Sequence, residues 1–357
     1  MKAVVMRQNE LLVEELANPE PGQGEVLVKT LACGICGSDL HMFQHCDHVL
    51  DTFKHGGIPI SFNPDQGVVF GHEYCAEILD HGPGSPKTLK AGTRVCAIPH
   101  MITPTSFHHV GLSNRYPGGY GEQMVLAERL LVPVPGDLPS DIAALTEPLA
   151  IAVHAVGRAQ LQGDEVPVVI GCGPIGLAVI MALKARGIGP VVASDFSAKR
   201  RALAEKLGAD VVVNPAERSP YATWAELAAP GTDPRISAAV LGTEAQRPCV
   251  VFECVGIKGL IQQILRDAPA RSRVVVVGVC MESDSFEPIF AIRKEVNLNF
   301  AFGYTEEEFS RTLHDLADGR LDGAAMITAR IGMDGVAEAF DTLKTPEDHA
   351  KIMITFD

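Results

Sequence analysis

The stretch "VPVVIGCGPIGLAVIMALKARG", Val166–Gly187, joins two apolar runs through a glycine-rich turn. The first run is short and β-branched, as in a buried strand, and the second has the length of a helix. Pro174 suits the first position of that helix, and Gly187 suits the residue just past its end. The stretch therefore predicts a buried strand, a tight turn and a buried helix.

The chain around this stretch continues the alternation of strands and helices. "PVVASD", "ADVVVN", "CVVFECVG" and "RVVVVGVC" are strand-like, and "SAKRRALAEKLG" is helix-like. Such alternation implies a parallel sheet that is covered on both faces. Before residue 150 the apolar pieces are short and separated by Gly/Pro turns, which is typical of an irregular β domain. We predict an α/β fold with a doubly wound parallel-sheet domain at 151–300 and a mostly-β domain at 1–150 that 301–357 completes.

Composition narrows the possible partners. The chain of 357 residues has a net charge of −14 and no compensating block of Lys and Arg, which disfavours nucleic acid and acidic lipid surfaces. The uncharged run 166–183 approaches a membrane span in length, but its Gly-x-Gly-Pro interruption favours the buried strand and helix. The apolar run within residues 1–15 is too short for a signal peptide. The 9 cysteines, an odd number, fit reduced thiols or metal ligands, so we expect a cytoplasmic protein.

The glycine-rich turn has the pattern Gly-x-Gly-x-x-Gly. The first glycine permits a tight turn, the second lets a pyrophosphate approach the backbone, and the third lets helix and strand pack closely. Asp195 ends the next strand, where a carboxylate would bind the adenosine ribose and repel a 2′-phosphate, so we predict NAD rather than NADP. The alternative to a cofactor site is an ordinary strand-to-helix turn, in which Asp195 would cap the helix near Ser197. The residues predicted for the loop are Gly171, Gly173, Pro174, Ile175 and Gly176.

A second group of reactive side chains lies in "CGICGSDLH", Cys33–His41. Cys33 and Cys36 have the spacing of a redox pair. Such pairs lie between a strand and a helix of a small βαβ domain, whereas this stretch lies among the short β segments of the first domain, which disfavours a redox pair. A structural zinc site would need more closing ligands, usually a second cysteine pair. A catalytic zinc needs only three protein ligands and an open position. This chemistry is the one that the stretch favours.

Candidates for the other zinc ligands occur further along the chain. "FGHEYCAEI" contains His72 and Glu73, and "LTEPLA" contains Glu147. Zinc accepts thiolate, imidazole and carboxylate ligands together.

The order of "CGICGSDLH", "GHEYCAEI", "TEPLAIAVHAV", the glycine stretch with Asp195, and "HAKIMI" resembles the zinc-dependent medium-chain alcohol and polyol dehydrogenases. The resemblance covers essentially the whole chain, and "EPLA" is similar to the sorbitol, butanediol and threonine dehydrogenase branch. It implies a Rossmann cofactor domain, a GroES-like catalytic domain, one catalytic zinc ion and NAD. It also implies a homodimer or homotetramer.

The resemblance assigns roles to individual residues. Cys36 and His72 resemble the constant zinc ligands, and Glu73 and Glu147 resemble the carboxylates that bind the metal or its water, a choice that stays open. Ser38 resembles the hydroxyl that contacts the alcohol, His41 the outer end of a proton relay, and Asp39 the carboxylate that orients the ligand histidine. Cys33 has no counterpart and is expected to be packing. The implied cofactor contacts are Cys254 at the adenosine half, the backbone of Gly278 and Val279 beneath the nicotinamide, and Lys351 at the pyrophosphate.

Two segments depart from the family. The segment after Cys96 lacks the four cysteines of a structural-zinc lobe, so we expect no structural zinc and interpret its histidines at 100, 108 and 109 as part of a polar loop. The connection 42–70 is longer than usual, and we interpret it as a loop that lines or covers the substrate cleft.

The predicted function is therefore oxidation of an alcohol, in particular a secondary alcohol or polyol, with hydride transfer to NAD. Zinc would stabilise the alkoxide, and Ser38 and His41 would relay the proton. One alternative is a zinc-free quinone or enoyl reductase on the same fold. Another is a non-catalytic nucleotide-binding redox sensor that uses Cys33 and Cys36.

Overall fold

The computed structural model describes residues 1–60, 62–102, 106–228, 246–344 and 349–356. The chain divides into two compact units, Met1–Glu147 with Phe309–Asp357, and Pro148–Glu308. The boundaries expected from the sequence, after residues 150 and 300, lie near these divisions. No helix within the described ranges is both long enough and apolar enough to cross a bilayer.

The first unit consists mainly of strands. Up to its boundary its elements are β1 (Lys2–Arg7), β2 (Glu10–Glu15), β3 (Glu25–Gly34), α1 (Gly37–His55), β4 (Val68–Val69), β5 (Glu73–His81), β6 (Arg94–Ala97), β7 (His100–Ile102), β8 (Phe107–His109), β9 (Gln123–Ala127), β10 (Leu131–Pro133) and α2 (Ser140–Ala143); α3 (Thr146–Arg158) begins at the boundary.

The second unit alternates strands and helices. Its elements are β11 (Val166–Ile170), α4 (Pro174–Ala185), β12 (Val192–Ser194), α5 (Ala198–Lys206), β13 (Val211–Val213), α6 (Pro220–Leu227), β14 (Cys249–Glu253), α7 (Leu260–Asp267), β15 (Arg273–Val276), α8 (Pro288–Lys294) and β16 (Asn297–Phe300). The chain then returns to the first unit through α9 (Glu306–Ala317), β17 (Ile327–Ile331), α10 (Val336–Leu343) and β18 (Lys351–Thr355).

The sheet of the second unit is parallel in every described pairing, in the order β13-β12-β11-β14-β15-β16. Its core packs β-branched residues such as Val168, Val251 and Val274 against Trp224 of α6. The strand order reverses direction between β11 and β14, which is the switch point where doubly wound folds bind ligands at the carboxyl ends of the strands. The predicted α/β fold with a Rossmann sheet is confirmed.

The first unit brings the two reactive stretches of the sequence together by antiparallel pairing. β3 pairs with β5 so that Cys33 lies opposite Tyr74 and Gly34 opposite Glu73. β18 pairs with the other side of β3, placing Met353 opposite Gly34. The end of β3, the start of β5 and the start of β18 therefore meet at one place in the sheet.

The sequence predicts that the long connection 42–70 is a loop, but its first part, residues 42–55, is helical. α1 extends from Gly37 to His55, with a kink at His45 where the backbone departs from helical angles. Met42, Cys46 and Val49 are buried along it, at the three- and four-residue spacing of one helix face. Because this apolar face packs inward, the helix continues well beyond the reactive stretch.

Candidate metal centre and cofactor loop

A thiol, an imidazole and a carboxylate converge in the first unit. The ligand atoms of Cys36, His72 and Glu73 all lie within 4.8 Å of one another, and no second such group of three was found in the described part of the chain. His72 and Glu73 are buried, and Cys36 is partly buried. These donor types and this spacing fit a zinc ion with a position left open.

The start of α1 places Cys36 and Asp39. Cys36 is the N-cap residue, and its backbone N–H donates to Asp39 Oδ2 over 3.1 Å. The sulfur therefore lies at the positive end of the helix dipole, which favours an anionic ligand. The Oδ1 atom of the same Asp39 carboxylate lies 3.4 Å from His72 Nδ1. The other ring nitrogen of His72, Nε2, is therefore left for a metal.

Asp39 and His72 also shift each other's titration. Burial acts to raise the pKa of Asp39, but the facing His72 ring and hydrogen bonds hold that pKa below its usual value. Burial acts to lower the pKa of His72, but the Asp39 carboxylate and the Cys36 sulfur raise it well above its usual value. The predicted orienting role of Asp39 is supported by this geometry.

Tyr120 is a functional candidate that the sequence analysis missed. Its side chain is fully buried, and its hydroxyl donates to Asp39 Oδ2 over 2.8 Å. It thus stabilises the carboxylate that faces His72. No local motif marks it, because 81 residues separate it from Asp39.

Glu73 has a buried cationic partner, Lys351. The Lys351 Nζ lies 2.7 Å from both carboxylate oxygens and 3.0 Å from the carbonyl oxygen of Ile35. The side chains are 2% and 1% exposed. A side chain at Gly34 would collide with the Glu73 carboxylate, so this glycine is required for the close approach.

The expected contact between Lys351 and the pyrophosphate is corrected by this arrangement. A pyrophosphate contact needs an accessible ammonium group, whereas this one is enclosed and its hydrogen bonds go to Glu73 and Ile35. Glu147, the other candidate carboxylate, lies in the first turn of α3. The group of ligand atoms that lie within 4.8 Å of one another contains Glu73 and does not contain Glu147.

The two proposed relay residues follow Cys36 on α1. Ser38 is exposed, and its Oγ lies 3.5 Å from His72 Nε2. His41 is three residues further along, on the same side of the helix, and is partly buried. Burial, followed by the neighbouring His45, lowers the pKa of His41.

Cys33 is a packing residue. It is fully buried in β3, and burial raises the pKa of its thiol well above the usual value. A thiol of this kind is unreactive. The structure therefore gives no support to a redox switch between Cys33 and Cys36.

The glycine loop lies between β11 and α4. Gly171 has a φ of +90°, in the left-handed region, and a side chain at Gly176 would collide with the carbonyl oxygen of Gly171. α4 begins with Pro174 at its first position and Gly173 as its N-cap residue. Ile175 follows in the first turn. These requirements match the turn and the close packing that the pattern predicts.

Asp195 lies directly beside this loop. Its Oδ2 accepts a hydrogen bond from the Cys172 backbone N–H over 2.7 Å, and its Oδ1 accepts one from the Ser197 backbone N–H over 2.8 Å. Ser197 itself caps α5 through the Arg200 N–H. The carboxylate that the sequence predicts to bind the ribose therefore lies beside the glycine loop.

The other expected cofactor residues lie at the same edge of the sheet. Cys254 donates its backbone N–H to Ile170 over 2.9 Å, and Gly278 donates to the carbonyl oxygen of Glu253 over 2.9 Å. Val279 follows Gly278 and is 50% exposed. The carboxyl ends of β11, β14 and β15 therefore form one surface with the glycine loop.

Comparison with known proteins identifies the family. Residues 22–136 match the alcohol dehydrogenase GroES-like domain, and residues 174–318 match the zinc-binding dehydrogenase domain. The chain belongs to the zinc-dependent medium-chain dehydrogenases. It is accordingly an oxidoreductase that uses zinc and a nicotinamide dinucleotide, and the resemblance seen in the sequence is confirmed.

Two related proteins and two solved structures illustrate the match. The (R,R)-butanediol dehydrogenase of Bacillus subtilis (strain 168) is 29% identical over 97% of each chain. The crystal structure of 2R,3R-butanediol dehydrogenase from Bacillus subtilis covers 100% of this chain and 99% of its own, with a TM-score of 0.82 and 28% identity. Sorbitol dehydrogenase of Bos taurus is 28% identical over 96% of this chain and 93% of its own. A putative zinc-binding dehydrogenase from Sinorhizobium meliloti 1021, solved bound to NADP, is 25% identical, covers 99% of both chains and has a TM-score of 0.77.

The segment after Cys96 differs from its interpretation as a polar loop. In this dehydrogenase His100 and His109 lie in the paired strands β7 and β8, while residues 103–105 fall outside the described ranges. The ring centroid of His109 is 5.5 Å from that of His72. His109 is therefore a neighbour of the three candidate metal ligands Cys36, His72 and Glu73, which we call the metal cluster. The sequence position of His109 did not reveal this proximity.

Proposed function

We propose that this dehydrogenase oxidises a secondary alcohol or polyol with NAD, using one zinc ion held by Cys36, His72 and Glu73. The observation that carries the proposal is the convergence of these three ligand types within 4.8 Å. Three protein ligands leave a coordination position for the substrate. The names of the relatives, butanediol and sorbitol dehydrogenases, support the substrate class.

The chain's own residues would bind the substrate and move its proton. Zinc, when bound, supplies a Lewis acid that lowers the pKa of an alcohol hydroxyl towards neutrality. Ser38, whose Oγ lies 3.5 Å from His72 Nε2, would accept that proton. His41 would then release it to solvent, and its lowered pKa favours release at neutral pH. Asp39 and Tyr120 would hold the His72 ring in place.

The second unit would bind the dinucleotide. The backbone of the loop from Gly171 to Gly176 and the start of α4 suit the pyrophosphate. Asp195 would accept hydrogen bonds from the ribose hydroxyls, and its negative charge disfavours NADP. Hydride would pass from the carbinol carbon to a nicotinamide held against Gly278 and Val279.

We further propose a homodimer or homotetramer in the cytoplasm. The nine cysteines are all free thiols, which fits a reducing compartment.

The decisive experiment combines metal analysis with turnover. The protein should hold one zinc per chain and form NADH with members of a panel containing 2-butanol, 2,3-butanediol and sorbitol. Cys36→Ala should lose the zinc and the turnover, while its affinity for NAD, measured by calorimetry, stays within about twofold because the loop belongs to the other unit.

Cys46→Ala is the matched control, because it removes a thiol from the same helix outside the cluster. It should keep both zinc and turnover. The proposal is wrong if Cys36→Ala retains stoichiometric zinc, or if the wild-type protein binds zinc and NAD and oxidises none of the alcohols.

A further inference from the structure

The hairpin of β7 and β8 presents two imidazoles on the face that carries the metal cluster. His100 pairs with His109, and Met101 pairs with His108. Because side chains alternate along a strand, His100 and His109 share one face. Their ring centroids are 5.5 Å apart, and His109 is also 5.5 Å from His72. The three rings therefore form a continuous row that ends at a metal ligand.

His108 points to the opposite face. Its ring lies 5.1 Å from the ring of Tyr116, and its Nδ1 lies 3.5 Å from Ser113 Oγ. The same hairpin thus carries one histidine in contact with His72 and an adjacent one that faces elsewhere. This pair provides a matched comparison.

The hydrogen bonding of His109 fixes what it can offer to a ligand. Its Nδ1 lies 2.8 Å from the carbonyl oxygen of Val110. A carbonyl only accepts, so Nδ1 carries the proton and a neutral ring presents Nε2 as an acceptor.

The Nε2 atom of His109 is available. It has no hydrogen-bond partner among the residues that the structure describes, and the side chain is partly exposed. An accessible acceptor that borders a metal ligand is positioned to bind a hydroxyl of a molecule held at that metal.

We propose that His109 is a specificity-determining residue whose Nε2 accepts a hydrogen bond from a second hydroxyl of the substrate, next to the one that is oxidised. The inference rests on the proposed function, since it presupposes an alcohol at the metal cluster. Because His109 is in ring contact with His72, a hydroxyl on the adjacent carbon suits this acceptor better than a remote one. The enzyme should therefore prefer vicinal diols to alcohols with a single hydroxyl.

The energetic reason is the cost of an unpaired polar group. A mono-alcohol places an apolar carbon against Nε2 and excludes water without replacing its hydrogen bond. A site that hydrogen-bonds a hydroxyl for this reason discriminates against the analogue that lacks it.

The test compares 2,3-butanediol with 2-butanol, which differ by one hydroxyl. His109→Leu should reduce the ratio of kcat/KM for the diol to kcat/KM for the mono-alcohol by about tenfold or more. His109→Gln, which restores an acceptor, should recover part of the ratio. His108→Leu removes the adjacent imidazole from the other face and should keep the wild-type ratio.

A binding measurement separates this inference from the proposed function. With zinc and NADH bound, 2,3-butanediol should raise the melting temperature of the wild-type protein more than 2-butanol does, and His109→Leu should remove this difference. If the wild-type protein oxidises no alcohol but shows this difference, the proposed function fails and the inference stands. If His109→Leu leaves the kcat/KM ratio and the difference in melting temperature unchanged, or if His108→Leu changes them equally, the inference is overturned.

Discussion

At the residue scale, Asp39 links the start of α1 to the metal cluster. One carboxylate oxygen faces His72, and the other accepts hydrogen bonds from the Cys36 backbone and the Tyr120 hydroxyl. A metal-binding histidine depends on such a partner for its orientation and basicity. The partner in turn depends on the groups that hold it.

Tyr120→Phe should weaken zinc binding, because it removes the hydroxyl from Asp39 without emptying the core. Loss of an outer partner of this kind typically costs about 10- to 100-fold in metal affinity, and we expect the lower end because Asp39 retains its backbone donor. Competition with a chromophoric chelator measures the change.

Tyr116→Phe is the control for this variant. Tyr116 is also buried, and its hydroxyl donates to a carboxylate oxygen of Glu25 over 2.9 Å, outside the metal cluster. Its zinc affinity should equal that of the wild type. Equal losses in both variants would contradict the role of Tyr120.

The Glu73–Lys351 pair predicts a large loss of stability when its cation is removed. Lys351→Met leaves the Glu73 carboxylate buried without a partner, and breaking a buried pair in this way costs about 3–5 kcal/mol. The free energy of unfolding of the metal-free protein, from chemical denaturation, measures this cost.

Lys184→Met provides the comparison, because the Lys184–Asp210 pair is similar in type but its side chains are 35% and 38% exposed. The free energy of unfolding of Lys184→Met should fall by no more than about 1 kcal/mol. Comparable losses for the two lysine variants would show that Glu73 does not depend on Lys351.

At the scale of elements, the proposed dinucleotide site combines the strand, turn and helix from β11 to α4 with the end of β12. Asp195, just beyond β12, connects to the loop through the Cys172 N–H. Neither element alone would distinguish NAD from NADP, because the loop would bind the pyrophosphate that the two cofactors share. The proposed selectivity for NAD would depend on the Asp195 carboxylate, which the adjacent strand places beside the loop.

Asp195→Gly should therefore weaken use of NAD and favour NADP. Removing the repulsion of a 2′-phosphate should raise the ratio of kcat/KM for NADP to kcat/KM for NAD by about tenfold or more. Steady-state kinetics with the two cofactors measure the ratio.

Asp210→Gly is a suitable control, since Asp210 accepts from the Val191 N–H over 2.7 Å at the opposite end of β12. It can lower stability, but the cofactor ratio should stay at the wild-type value. An unchanged ratio in Asp195→Gly would reject the ribose-binding role.

At the scale of the whole molecule, the second unit exposes an apolar face at the end of its sheet. β16 is the last strand of that sheet in the part of the chain that the structure describes. Nearby apolar side chains are strongly exposed, among them Ile289 at 54%, Ile292 at 69%, Phe300 at 61% and Phe302 at 89%. Edge strands and apolar patches of this kind favour association, and a second copy is the simplest partner for a symmetric pair.

We expect Ile292→Glu combined with Phe302→Glu to dissociate the oligomer, because two charges would be buried without partners at the contact. Sedimentation velocity should show a dimer or tetramer for the wild type and a monomer for the variant. Ile102→Glu, at a 52% exposed apolar residue of the first unit, should keep the wild-type mass. A monomeric wild type, or an undissociated double variant, would contradict the proposed assembly.

Local sequence information was sufficient to predict much of the fold and of the candidate site of this protein. The apolar periodicity and the glycine pattern predicted the parallel sheet, the turn and the helix around Gly171, because these depend on neighbouring residues and on backbone sterics. The resemblance in motif order predicted the family and the candidate ligands Cys36, His72, Glu73 and Glu147, and it left the choice between the two glutamates open. Asp39 was predicted for the same reason, since it is part of the same short motif.

Only the tertiary structure decided which distant side chains meet. Glu73 and Lys351 are separated by 278 residues, and Asp39 and Tyr120 by 81, so no local pattern connects them. The register of β3 with β5 and β18 brings the first pair together, and strand alternation in the β7–β8 hairpin selects His109 rather than His108 as the neighbour of His72. The sequence determined the elements and the chemistry they carry, whereas pairing register and the face each side chain occupies determined the contacts, since these depend on long-range packing.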